Sequence, residues 1–162
     1  SGTTGWCYEY TDAHEICKIN NRAFSYATKL ILRITLSFEL NKKLAEMMRS
    51  FPDYSVAIEE IHHTQKLDAP SGTAISLAEQ IIEKTNRRGW SLNRAEEGEI
   101  PITAKRIENV PGTHVITYDS PVDTIKIEHI ARSRDGFALG AIVAAEWIQN
   151  KKGVFSMKDV LF

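Results

Sequence analysis

The densest run of chemically capable side chains is Glu60-Ile61-His62-His63-Thr64-Gln65-Lys66-Leu67-Asp68-Ala69-Pro70-Ser71-Gly72-Thr73-Ala74. Two imidazoles and an ammonium fall between His62 and Lys66, and a Ser-Gly-Thr turn follows. Strand-like alternation leads into the run, and a helical pattern opening at Ser71 leads out of it. A helix N-terminus presents free backbone N–H groups and the positive end of its dipole, so this turn is an anion site. Gly72 lets the backbone approach a ligand closely, and Lys66 adds a point charge. A carboxylate or phosphate fits there, beside a histidine able to give or take a proton.

Each residue also has a bland role: Ser71 capping a helix, His62 and His63 ending a strand. The convergence of all of them favours a site. Zinc is the poorer reading, because adjacent strand histidines point to opposite faces. Neither Cys7 nor Cys17 has metal-ligand spacing, and no residue is assigned to a metal. Gly2-Thr3-Thr4-Gly5 fits a strand-to-helix turn near a nucleotide, or an ordinary turn. His129 alternates with Ile125 and Ile127, as a sheet histidine or one facing a ligand. Arg134, after Ser133, is either a guanidinium for an anion or a solvated loop residue. His14 and His114 read as surface residues. No Gly-x-Gly-x-x-Gly or P-loop pattern occurs, so the chain's own motifs give no complete cofactor site.

The elements that must position the cluster follow from periodicity. Asp12-x-x-Glu15 resembles a capping box opening a helix to about Asn21, and Phe24 to Ala27 reads as a strand. Leu36, Leu40, Leu44 and Met47/Met48 have helical spacing, which Pro52 stops. Val56 to Ile61 is a strand with Val56 and Ile58 on one face, and His62 to Pro70 is loop. Ser71 caps a helix whose inward face is Ala74, Ala78, Ile81 and Ile82. Asn86 to Glu99, charged and aperiodic, reads as exposed loop. Strands are predicted at Ile100 to Ile107, Thr113 to Tyr118 and Thr124 to Ala131, the last two a hairpin turning through Asp119 to Asp123. A helix from Gly136 to Gln149 turns Phe137, Ala141, Ala144 and Ile148 inward, and Ser156-x-x-Asp159 caps a last turn. The order is that of an α+β fold.

At 162 residues, 43% hydrophobic and 25% charged, the chain is of ordinary globular composition. Twenty basic against 21 acidic residues, a net charge of −1, leave no electrostatic footprint for nucleic acid or an anionic membrane. No apolar run reaches the roughly 20 residues of a membrane helix. Two cysteines form no disulfide framework, so a reducing, cytoplasmic setting is expected. Ser1-Gly2-Thr3-Thr4-Gly5-Trp6 is not a signal peptide, and the start at Ser1 suggests a processed chain or part of a longer one.

The segment from Glu60 to Ala74 resembles the signature of the dihydrodipicolinate reductase (4-hydroxy-tetrahydrodipicolinate reductase) family, of the diaminopimelate route to lysine. Supporting it in register are Gly2 to Trp6, Ile100-Pro101-Ile102, Val110 to His114, Ile127-Glu128-His129 with Ser133-Arg134, Phe137 to Ala141, and the tail Gly153 to Leu161. The resemblance implies the end of a Rossmann-like nucleotide-binding domain over 1–30, a substrate-binding and tetramerisation domain over 31–135, and a C-terminal helix over 136–162 returning toward the first. It implies a mixed, mostly antiparallel four-stranded sheet with helices on one face. NADH or NADPH would pass a hydride to a cyclic, unsaturated dicarboxylate, within a homotetramer. By match of position His62 is the acid and Lys66 assists it, while His63, Lys66, Ser71, Gly72 and Thr73 bind substrate carboxylates. Gly2, Thr3 and Thr4 fall to the cofactor, as do Ala27, Thr28, Lys29 and Leu30 at the hinge. Two departures accompany the match. The family's phosphate loop would lie upstream of Gly2, and Ala27 to Thr35 differs from the family's Asn-, Phe- and Gly-bearing hinge. They motivate an alternative of another class, a truncated non-catalytic oligomerisation or dicarboxylate-binding module.

Overall fold

In a computed structural model of the chain, residues 10–25, 32–133 and 135–162 are described. The chain divides into two units, Ser1–Thr35 with Arg134–Phe162, and Leu36–Ser133.

The first unit holds α1 (Tyr10–Ile19), β1 (Ala23–Ser25) and, from the far end of the chain, α4 (Asp135–Trp147), β7 (Gly153–Phe155) and α5 (Met157–Leu161). β1 and β7 pair in parallel, Phe24 opposite Val154. The Cys17 thiol is buried and donates to the Arg22 carbonyl at 2.8 Å, closing the turn between α1 and β1. Trp147 and Phe155 meet edge to face at 5.1 Å. Asp12 lies in the first turn of α1 rather than capping it, since the helix begins at Tyr10. Ser156 and Asp159 form the expected reciprocal cap of α5.

The second unit is built on a five-stranded sheet of order β3-β4-β2-β5-β6, the strands being β2 (Ser55–His62), β3 (Gly89–Leu92), β4 (Glu99–Arg106), β5 (Gly112–Asp119) and β6 (Thr124–Ala131). Helices α2 (Leu32–Met48) and α3 (Gly72–Lys84) supply its cover. α3 presents Ala74, Leu77, Ala78 and Ile81, at i, i+3, i+4 and i+7, all fully buried. Against them lie Val56 and Ile58 of β2, Ile100 and Ile102 of β4, and Ile116 and Tyr118 of β5, with Ala45 and Met48 of α2 completing the core. Asn41 of α2 is buried and donates to the Leu77 carbonyl and to Gln80, both at 3.0 Å, tying the two helices together.

The class is α+β with a mixed sheet, as expected, but the sheet differs in two respects. It has five strands rather than four, and two of its four pairings are parallel, β2 with β4 and β3 with β4. The first difference is β3, which lies inside the segment expected to be loop. Trp90 packs on the core there, while flanking charges hide any alternation. The six residues 93–98 return the chain to start β4 beside β3, a span of up to about 20 Å. Asn93 and Gly98, with φ of 65° and 85°, turn the backbone at either end of that return.

Candidate active site

Alternation along β2 sends Val56, Ile58, Glu60 and His62 to the core face. The first two fill the core. Glu60 and His62 carry the same face past its apolar limit, so their polar atoms must find partners inside the protein. Antiparallel register sets His114 of β5 opposite Glu60, and parallel register sets Arg106 of β4 opposite His62. Three strands thus deliver a carboxylate, two imidazoles and a guanidinium to one end of the sheet, where α3 begins.

Glu60 is the hub. It is fully buried. Its Oε2 accepts from His62 Nδ1, and its Oε1 accepts from Ser71 N at 3.1 Å and from an Arg106 Nη at 3.0 Å. Burial alone would push the Glu60 carboxyl up, but the hydrogen bonds and charges of His62 and Arg106 outweigh it and hold the group below its ordinary value. Ser71 caps α3, its Oγ accepting from Ala74 N at 3.2 Å, and the same oxygen meets His114 Nε2 at 3.0 Å. The His62 and His114 rings lie edge to face, centroids 5.1 Å apart.

Arg106 also braces the loop between β2 and α3, donating to the carbonyls of Lys66 at 3.3 Å and Asp68 at 2.7 Å. On that loop Lys66 pairs with Asp68 at 2.6 Å. The hydrogen bond and charge of Lys66 hold Asp68 below its ordinary value against partial burial. Gly72 is exposed at the first position of α3, with Thr73 buried behind it. Their N–H groups have no acceptor within the helix, and Ala74 N is already taken by Ser71. The turn therefore offers an anion two donors in the positive end of the helix dipole.

Of the expected site residues, His62 and Ser71 are joined through Glu60 and His114. Lys66, Gly72 and Thr73 lie on the same loop and helix start, while His63, next along the chain, is half-buried. Gly2, Thr3, Thr4, Ala27, Thr28, Lys29 and Leu30 lie outside the described residues, as does Arg134. His114 is a correction: it is buried, 5% exposed, because it alternates with Ile116 and Tyr118 on the core face. Glu60 and Arg106 went unassigned, though each continues the period-two pattern of its strand. One carboxylate oxygen and two ring nitrogens of Glu60, His62 and His114 lie within 4.8 Å of one another. The Glu60 carboxylate there is already engaged by His62 Nδ1 on one oxygen and by Ser71 N and the Arg106 guanidinium on the other, so the set reads as a hydrogen-bonded network.

Among the described residues no helix is long and apolar enough to cross a membrane. Residues 33–161 match the family model described as "Dihydrodipicolinate reductase, C-terminus". The 4-hydroxy-tetrahydrodipicolinate reductase of Christiangramia forsetii is 60% identical over 162 residues, 99% of this chain and 68% of that protein. That of Methanosarcina barkeri is 42% identical over 125 residues, 74% of this chain and 48% of that protein. The solved structure of a dipicolinate-bound dihydrodipicolinate reductase from Paenisporosarcina sp. TG-14 shares the fold, with a TM-score of 0.70 at 24% identity over 96% of this chain and 61% of that one. The chain spans from about half to about two thirds of the length of these relatives.

Proposed function

The chain belongs to the dihydrodipicolinate reductase family, and from that premise we propose that it carries the substrate site and the proton donor for reduction of a cyclic, unsaturated dicarboxylate of the dihydrodipicolinate type. The observation that carries this reading is the Glu60 carboxylate, which holds His62 with one oxygen and the Ser71 turn with the other. Proton donor and anion turn are thereby one unit, as a substrate bearing a carboxylate beside its reacting bond requires.

In this reading the N–H groups of Gly72 and Thr73 and the side chains of Ser71, Thr73, His63 and Lys66 take the substrate carboxylates. Lys66 exchanges Asp68 for the ligand. That pair is easily given up, since the Asp68 side chain is 59% exposed and such pairs contribute little. His62 then protonates the ring as it is reduced, with the Lys66 charge assisting. A nicotinamide cofactor, NADH or NADPH, supplies the hydride when bound, and Gly2, Thr3, Thr4 and Ala27 to Leu30 are the residues assigned to it. One hydride and one proton saturate one double bond, and the described residues hold and deliver the proton.

Around this site we place a nucleotide-domain end over 1–30, the substrate domain over 31–135 and, over 136–162, a returning C-terminal segment in which the expected helix is α4, followed by β7 and α5, in a cytoplasmic enzyme of the diaminopimelate route to lysine. The second face of the five-stranded sheet, where Ile130 is 57% exposed, is assigned to other copies of the chain, giving a homotetramer. Light scattering at micromolar concentration tests this, and a monomer overturns it.

Calorimetric titration of the full chain with pyridine-2,6-dicarboxylate, a planar mimic of the substrate ring, tests the site. Binding is expected, with a loss of about tenfold or more in Lys66→Ala, the removal of one charge-assisted contact. No binding, with or without NADH, overturns the substrate assignment and leaves the non-catalytic oligomerisation module as the better reading.

A further inference from the structure

Every contact that the structure gives the Glu60 carboxylate comes from a donor: His62 Nδ1 on one oxygen, Ser71 N and Arg106 on the other. An ionised carboxylate only accepts. The ring proton of neutral His62 must therefore sit on Nδ1, and the exchanging atom is Nε2. We infer that Glu60 is the positioning residue of this site: it fixes His62 in the Nδ1–H tautomer, directs proton delivery through Nε2, and holds the anion turn with its other oxygen. The inference rests on the reading of His62 as proton donor, and it names the atom that acts and the residue that selects it.

The proton balance agrees with this arrangement. A charged His62 carries protons on both ring nitrogens. On transfer, the Nε2–H bond breaks, its electron pair stays on nitrogen, and the proton joins the carbon of the reduced ring. What remains is the neutral ring with its proton on Nδ1, the form whose hydrogen bond to Glu60 is already made. Reprotonation from water at Nε2 resets the donor with no tautomer change. The groups facing His62 are Glu60 on its own strand, Arg106 on β4 and His114 on β5. Of these Glu60 is the acceptor at Nδ1.

Glutamate is needed because both of its oxygens face donors. A glutamine of the same shape can satisfy one side only. With its oxygen toward Ser71 and Arg106, its NH2 group faces His62 Nδ1 and demands a lone pair there. His62 has a second tautomer to adopt, whereas Ser71 N–H and Arg106 have none. Glu60→Gln is therefore expected to keep the turn and move the ring proton to Nε2.

The test uses the full chain with its histidine rings labelled with 15N, at a pH where the rings are neutral, with His62 assigned by its loss in His62→Gln. Nitrogen shifts should show the Nδ1–H form in the wild type and the Nε2–H form in Glu60→Gln. A purely structural role for Glu60 would lower the melting temperature without exchanging the two nitrogen signals. An Nε2–H ring in the wild type overturns the inference, and that measurement does not need Glu60→Gln to fold. An unchanged tautomer in a folded Glu60→Gln overturns it too. Titration of the same samples with pyridine-2,6-dicarboxylate separates the two readings. A wild type with the Nδ1–H ring that binds no dicarboxylate overturns the substrate assignment while upholding the Glu60–His62 lock.

Discussion

The Nε2 atom of His62 lies 3.1 Å from the point that a Cβ on Gly112 would occupy, and its Cδ2 lies 3.3 Å from it. Gly112 starts β5 on the core face, next to the pairing of Thr113 with Ile61, and its missing side chain is the space in which the ring stands. Both separations are inside ordinary van der Waals contact. Gly112→Ala must therefore shift the ring that Glu60 holds from the other side. Overpacking of this kind destabilises by about 1–3 kcal/mol. The expected result is a folded chain with a lowered melting temperature and weakened binding of pyridine-2,6-dicarboxylate, read by calorimetry. Unchanged affinity would mean that Nε2 does not face the ligand.

Acid should undo the site through Glu60. Its carboxyl is held below the ordinary value of 4.5 in the folded chain, so the unfolded chain binds the proton first as pH falls. The stability it contributes is fully present above about pH 4.5 and is lost as pH drops through the lowered folded value. Asp68 and Asp159 are shifted the same way by Lys66 and Ser156, but they are mostly solvated and contribute less. Melting curves in acid should fall more steeply for the wild type than for Glu60→Gln. Parallel curves would remove Glu60 from the acid response.

Alkali should act through Tyr118. Its side chain is 2% exposed, and its hydroxyl has no hydrogen-bond partner among the described residues. Burial pushes the phenol up to about 12, against a partial offset from the Arg87 charge. A raised folded value means that the contribution is fully present below pH 10 and lost between about 10 and 12. A rise of this size corresponds to roughly 2–3 kcal/mol at the alkaline limit. Tyr118→Phe removes both the alkaline sensitivity and an unpaired buried hydroxyl. It should leave neutral-pH stability unchanged or raise it by up to about 1 kcal/mol. A clear loss at neutral pH would show that the hydroxyl has a partner.

Much of this was legible residue by residue. Thr124 to Ala131 alternates so cleanly that the observed strand has the expected bounds, and Ser71 announced α3 as its cap. The failures have a common cause. Glu60 and Arg106 each follow two apolar residues at period two, and His114 precedes two, so the alternation of the strands puts all three on the core face although the sequence alone reads His114 as a surface residue. What gives them meaning is pairing between β2, β4 and β5, and that register depends on chain segments roughly fifty residues apart. Without the partners in view, a charged residue at a strand end reads as solvated. β3 failed for the opposite reason: four residues among charges are too few to show a period, and only the shape of the sheet gives Trp90 somewhere to pack.

Arg106 offers the sharpest energetic test of the network, because its planar fork joins Glu60 to two loop carbonyls at once. Lysine is a point donor and cannot span the three acceptors. Arg106→Lys should loosen the loop carrying Lys66 and Asp68, read as faster amide exchange there, with α3 unaffected. Arg106→Ala is harsher, since it strips the guanidinium from a buried carboxylate, and breaking such a pair costs about 3–5 kcal/mol. If that loss comes from stranding the Glu60 charge, it should shrink once the charge is gone. Denaturant melts of Arg106→Ala, Glu60→Gln and the double variant close the cycle. The double variant should be more stable than the sum of the single losses by about 1–3 kcal/mol, as expected for members of one network. Simple additivity would show instead that Arg106 acts on the loop alone, and that His62 by itself sustains the buried carboxylate.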